Sequence, residues 1–254
     1  MDTQIISTPT PVKVTVRVPS GHLRITATET AETTVTIVGE PEPNAVVVEY
    51  DAASATLSIR QRRAGRFWRG PLGGLRITLT VPTGSPVRVD SGSMDVDATG
   101  CIGSLTCNVA SGDITAQCVD GALQCHCASG DVAATRVTGG SVVRTASGDV
   151  AIESAEGDVN VATVSGDIDI DAVHRGIVTV QSVSGDITTG VVAGVRLRLD
   201  LSAVSGQTRS ELPVSDLPNT AASGSATEVD LRASSVSGDI TVRRSRTQQP
   251  AVGG

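Results

Sequence analysis

Six aspartates recur in one triplet. Ser-Gly-Asp places Asp113, Asp131, Asp149, Asp167, Asp186 and Asp239 directly after a glycine, the first five at spacings of 18, 18, 18 and 19 residues. A carboxylate repeated at one corner of a stacked chain can accept backbone N–H bonds at the turn, or it can share cations with its neighbours. Unit charges about 4.8 Å apart repel by about 1 kcal/mol in water, so something must offset a ladder of them. Calcium-binding solenoids repeat Gly-Gly-x-Gly-x-Asp in consecutive turns. Here aspartate returns only at every second turn and the paired glycines are missing. Hydrogen-bonded turn aspartates are therefore the expectation, and a calcium ladder over Asp113, Asp131, Asp149, Asp167 and Asp186 is the alternative. Asp167, Asp169 and Asp171 alternate with isoleucine, which puts three carboxylates on the outer face of one strand. An acid/base pair or a cation site would need such a cluster. No histidine or basic partner is near in sequence, so a solvated strand face is expected.

A second cluster is cationic. Arg60, Arg62, Arg63, Arg66 and Arg69 fall within ten residues that also hold Phe67 and Trp68. Arginine beside aromatics suits an anionic polymer or membrane surface, or a protein contact. The alternative is that Phe67 and Trp68 fold back over one end of the molecule while the arginines stay in water. Five cysteines lie between Cys101 and Cys127, an odd number without the spacing of a secreted disulfide framework. Cys125-His126-Cys127 lacks the CxxC partner of a zinc site, and free thiols are expected. The three histidines, His22, His126 and His174, are scattered, and no HExxH, GxSxG, Walker A or dinucleotide fingerprint occurs. No catalytic residue, cofactor or metal is assigned.

The elements that position these residues follow from a period. Between the Ser-Gly-Asp glycines runs a second series, Gly103, Gly121, Gly139, Gly157, Gly176 and Gly194, so the chain turns about every nine residues. Counting from each turn glycine, positions +2, +4 and +7 are apolar or small, as in Ile168, Ile170 and Val173, or Val159, Val161 and Val164. Alternation of β-branched residues is strand periodicity. Strand, corner, strand, corner every 18 residues describes a parallel β-solenoid. Six to seven coils over residues 91–243 give a rod about 30 Å long. Cys107 and Cys125, both at +4, should stack inward, and Cys118 and Cys127, at +6, should be exposed near corners.

Composition agrees. The chain has 254 residues, 39% of them hydrophobic, but only three aromatics, Tyr50, Phe67 and Trp68, which suits a narrow interior. A net charge of −7 argues against a generic nucleic-acid binder. Residues 1–82 alternate without the nine-residue period, with strands expected at Val12–Val18, Leu23–Thr28, Thr34–Val38, Val46–Tyr50, Thr56–Arg60 and Leu75–Val81. They are expected to form an antiparallel β-region capping the solenoid of residues 83–243, with a joint at Pro82–Pro86. A loop is expected at about 207–225 and a disordered tail at 244–254. With no basic and apolar leader at Met1-Asp2-Thr3-Gln4 and no long apolar run, the expectation is a cytoplasmic protein.

The array of Ser-Gly-Asp triplets, entered through Val81-Pro82-Thr83-Gly84 and closed by Val236-Ser237-Gly238-Asp239-Ile240-Thr241-Val242, resembles the bacterial "putative adhesin" β-strand-repeat domain of unknown function. The resemblance implies a right-handed parallel β-helix without established catalytic activity. The functional expectation is a non-enzymatic scaffold acting through a protein partner or self-association. Calcium-dependent binding, or anionic-surface contact through residues 60–70, is the alternative. A carbohydrate-active β-helix enzyme rests on analogy of fold alone.

Overall fold

The computed structural model describes residues 2–39, 46–61, 74–212 and 228–246, and all regular structure among them is β. The N-terminal strands are β1 (Asp2–Ser7), β2 (Lys13–Arg17), β3 (Ser20–Thr28), β4 (Glu32–Val38), β5 (Val46–Asp51), β6 (Thr56–Gln61) and β7 (Arg76–Pro82). The long β8 (Val87–Ile102) bends at Ser91-Gly92-Ser93 and belongs to both faces of the solenoid. The repeats then alternate between the faces. One face takes β9 (Leu105–Ser111), β11 (Leu123–Ser129), β13 (Ser141–Ser147), β15 (Val159–Ser165) and β17 (Gly176–Ser184). The other takes β10 (Ile114–Val119), β12 (Val132–Val137), β14 (Val150–Ala155), β16 (Ile168–Val173) and β18 (Ile187–Val191). The C-terminal strands are β19 (Arg196–Ser205), β20 (Thr208–Ser210), β21 (Glu228–Ser237) and β22 (Ile240–Arg244).

The repeats stack as their period predicts. Every strand pair from β8 to β18 is parallel and joins equivalent positions of successive coils, Ile114 to Val132 to Val150 to Ile168 to Ile187. Alternate side chains point inward, so Ile168 and Ile170 are buried while Asp169 is exposed. The core is built from valine, isoleucine, leucine and alanine, with Cys107 and Cys125 stacked inside it as expected. Corners need glycine. Gly148 has φ +140°, and a Cβ there would overlap the carbonyl oxygen of Gly130 on the preceding coil.

The two ends depart from chain order. On one face the spatial order is β5, β6, β2, β8, and on the other β1, β4, β7, β3, β8. The β6–β7 coil therefore lies outside the β2–β3 coil that precedes it in sequence. The C-terminal end repeats the device: β21 and β22 pair with β17 and β18 on one side and with β19 and β20 on the other. The last coil of the chain is thus clasped inside the one before it.

This corrects the expectation for residues 1–82. Only the rim is antiparallel, through β1 on β4, β4 on β7 and β5 on β6. Strands β2, β3, β6 and β7 run parallel in the solenoid and add two coils to it. Alternation shows that a segment is a strand, but it carries no information on the direction of its partner. Leu23, Ile25, Ile77 and Leu79 face the same interior as the repeats. At the joint, Ser85 is fully buried; its hydroxyl donates to the Pro82 carbonyl at 2.6 Å and accepts from the Val12 N–H at 3.1 Å. The expected loop also starts later than 207, because Thr208–Ser210 pairs with β22; its remainder from 213 lies outside the described residues. Of the tail, Arg244 ends β22 and residues beyond 246 are outside the described set.

Candidate functional site

The aspartate corner is a hydrogen-bond ladder that joins coils. Asp113 Oδ1 accepts the backbone N–H of Asp131 at 3.0 Å, Asp131 that of Asp149 at 2.8 Å, and Asp149 that of Asp167 at 2.8 Å. The series continues from Asp167 to Asp186, from Asp186 to Asp239 and from Asp239 to Gln207, each at 2.8 Å. It begins at Asp95, which accepts from Asp113. Each carboxylate thus serves the corner of the next coil, where the turn expectation has it serving its own. One oxygen of each is committed to a backbone donor, which offsets the repulsion along the row. Among the described residues, one group of three metal-ligating side chains lies within reach of a shared ion, Cys101, Cys118 and Asp120, and it includes none of the ladder carboxylates.

Those two cysteines overturn the free-thiol reading in part. Cys101 and Cys118 are disulfide-bonded across adjacent coils, at register-paired positions with Cα atoms 4.5 Å apart. Cys107, Cys125 and Cys127 remain free and buried. The spacing predicts Cys118 and Cys127 at the surface, but both are buried. A hydrogen bond with Cys125 and burial push the Cys107 thiol well up, and burial raises that of Cys127. These thiols are not poised as nucleophiles.

The carboxylates of β16 do have a basic partner, supplied from far along the chain. Arg243 on β22 lies 2.8 Å from Asp171 and 3.4 Å from Asp169. Arg243 is paired in register with Gly190 on the intervening β18, and its guanidinium reaches past that strand to the carboxylates of β16. Ala151, Ile152, Glu153 and a second arginine, Arg246, line a shallow depression with this cluster. A second polar clamp, unforeseen in the sequence, sits where the N-terminal coil meets the repeats. Asp90 accepts from Arg88 at 2.9 and 3.0 Å, from Asn108 at 2.8 Å and from Arg17 at 3.2 Å. Burial would raise its pKa, but these hydrogen bonds prevail and hold the carboxyl down at about 2. The partners come from three stacked strands, so only the register could have revealed them. Of the histidines, His22 lies 3.0 Å from Asp97, and His174 shares a 3.2 Å hydrogen bond with Ser154.

Arg60, one of the cationic cluster, closes the strand expected at Thr56–Arg60. It lies on β6 and pairs with Glu49 of β5 at 2.7 Å. Arg62, Arg63, Arg66, Phe67, Trp68 and Arg69 fall outside the described residues.

The exposed apolar surface lies elsewhere. The +7 rule holds in the half that follows Ser-Gly-Asp, where Val119, Val137, Ala155 and Val173 are buried. It fails in the other half. There the two-residue alternation runs unbroken to +6, so Thr145, Thr163, Ser182 and Ser235 turn inward. The next residue turns outward: Val164 is 51% exposed, Val183 47%, Val236 49% and Val204 80%. Register aligns these four valines coil on coil into one stripe. The equivalent residues of earlier coils are Ala110, Ala128 and Ala146. The stripe ends on β19, which among the described residues pairs with β21 alone. Leu199, which points toward the solenoid interior, is 37% exposed there, and among the described residues no further coil stacks on β19.

A parallel β-solenoid, wired at its corners by aspartate and closed at each end by an interleaved coil, defines the class of this protein. The family model Toastrack DUF4097, a domain of unknown function, matches residues 12–243, and the chain belongs to that family. No curated protein matches it. Among solved structures, it is similar to a "putative lipid binding protein" from Parabacteroides distasonis ATCC 8503, at 16% identity and TM-score 0.52 over 95% of this chain and 96% of that one. It is also similar to a "putative adhesin" from Bacteroides fragilis NCTC 9343, at 16% identity and TM-score 0.46, over 95% and 96% of the two chains. The former likeness supports the fold.

Proposed function

We propose that the protein is a non-enzymatic interaction scaffold, a rigid stack that works by contact at the C-terminal end of its solenoid. The observation that carries this reading is the valine stripe Val164–Val183–Val236–Val204, an exposed apolar row running onto β19, which among the described residues is paired along one side only. The conspicuous polar clusters support it from the other side. The ladder aspartates bond backbone N–H groups, and Asp169 and Asp171 are held by Arg243, so these carboxylates serve the architecture. The reading therefore requires no calcium.

Sedimentation velocity over a concentration series, in EDTA and then in millimolar calcium, tests it. Larger species should grow with concentration, equally in both buffers. Replacing Val183 and Val236 by serine should weaken their formation while moving stability by no more than about 0.5 kcal/mol, because both side chains are already half in water. A single monomer at all concentrations in both buffers overturns contact between copies, and assembly only in calcium overturns the cation-independent reading.

A further inference from the structure

Strand β19 ends the solenoid with a pattern that matches itself. Its odd-numbered residues direct their backbone groups toward β21, as the bond from the Gly238 N–H to the Ser205 carbonyl shows within the Ser205-to-Ser237 register. Backbone direction alternates along a strand, so the N–H and C=O groups of Arg196, Arg198, Asp200 and Ser202 point away from β21, to the side where no other described strand pairs. Side chains alternate likewise: Arg198 and Asp200 lie on the outer face, and Leu197, Leu199 and Leu201 on the interior face.

The outer face is also a charge checkerboard. Arg198 is paired in register with Asp230 of β21, and Asp200 with Arg232, while Arg232 and Asp230 form an ion pair at 3.0 Å. Along β21 the order is minus, plus; along β19 it is plus, minus. The next strand that continues this pattern must read minus, plus opposite Arg198 and Asp200. An antiparallel copy of β19 does so.

We infer that β19 pairs with β19 of a second copy of this chain, antiparallel about a twofold axis through Leu199, with Arg198 opposite Asp200 of the other copy. This rests on the scaffold reading above and names its partner and register. Three features select the arrangement. Backbone parity requires even residues to face even residues in hydrogen-bonded pairs, which Arg198 with Asp200 and Arg196 with Ser202 satisfy. The registers two residues to either side obey the same parity but set Arg198 on Arg198 or Asp200 on Asp200, which like-charge repulsion disfavours. In the selected register Leu197 faces Leu201 and Leu199 faces Leu199, so the two narrow interiors continue into one another and cover the leucines left half-open. The opposite end lacks this match: β5 carries Glu49 and Asp51, both acidic, on its outer face.

The test uses two charge variants of the full chain. Arg198→Asp alone and Asp200→Arg alone each place like charges opposite one another twice about the axis, and each should weaken dimerisation about tenfold in sedimentation velocity. Mixed in equal amounts they should associate with each other as tightly as the unaltered protein. One copy is then acidic at both positions and the other basic at both, so each of the two cross-strand pairs again joins opposite charges. Independently, Leu199→Cys should yield a covalent dimer under mild oxidation, joined through position 199 by peptide mapping. Self-pairing sites of this kind bring Cα atoms to about 4.5 Å, within disulfide reach. Thermal unfolding of each variant checks that the fold is intact. If the protein self-associates but the mixed variants fail to recover and Leu199→Cys stays monomeric, this pairing is overturned while the scaffold reading stands. If neither the variants nor the unaltered chain associate, this pairing falls together with every contact between copies.

Discussion

Asp149 illustrates what a single side chain contributes here. It accepts the N–H of Asp167 and its own N–H is accepted by Asp131, so it is one rung in a series with equivalents above and below. Asp149→Ala leaves the Asp167 N–H without its acceptor and should lower stability by about 1–2 kcal/mol. Asp149→Asn keeps an amide oxygen at the same place and should cost clearly less. Urea unfolding separates the two, and equal losses would mean that charge, not hydrogen bonding, matters at the corner. Asp90 gives a pH signature. Its folded carboxyl titrates at about 2, below the ordinary value near 4, because Arg88, Asn108 and Arg17 hold the ionised form. A depressed carboxylate pKa adds stability that is present above about pH 4 and is lost as pH falls through about 2. Asp90→Asn should therefore be less stable by about 1 kcal/mol at pH 7, a figure reduced by the partial exposure of the site. The gap should close between pH 4 and pH 2 in denaturant titrations.

At the level of the strand and its corner, glycine decides. Gly148→Ala faces both a left-handed backbone and the Gly130 carbonyl, and should cost at least about 2 kcal/mol. Gly140→Ala is the control: its nearest neighbour is the Asp158 carbonyl oxygen at 3.8 Å, and the change should be neutral or slightly stabilising in thermal melts. The corner glycines, the stacking of Cys107 on Cys125 and the parallel coils were legible because one period of 18 residues imposes them. Whether +6 or +7 turns inward was not. That depends on a break in the two-residue alternation between +4 and +7, which recurs within β10, β12, β14 and β16 and is absent from the strands of the other half. The valine stripe went unread with it, and Cys118 meets Cys101 through a separate register shift between β8 and β10. Arg243 was likewise invisible beside Asp169 and Asp171, since the contact spans 74 and 72 residues of chain.

For the molecule as a whole, order in space and order in sequence diverge at the ends, and alternation alone cannot reveal it. Among the described residues, strands β21 and β22 come last in the chain but are flanked by a coil on each side, whereas β19 and β20 form the outer edge. Solenoid stability is a sum of neighbour interfaces, so an inner coil opens less often than an outer one. Amide hydrogen exchange should accordingly be slower in β21 and β22 than in β19 and β20. The reverse order would show that the C-terminal coil frays as a chain end usually does.

Interleaving also separates the parts that finish the rod from the part that sets its length. Each end is an interlocked pair of coils with its own sequence, and the repeats between them are nearly interchangeable, each contributing the same glycine corner and the same rung to its neighbour. Duplicating one 18-residue unit in the middle would advance one end from the other by about 4.8 Å and disturb neither. The protein is in that sense a spacer graduated in coils, able to change its reach while keeping both of its terminals.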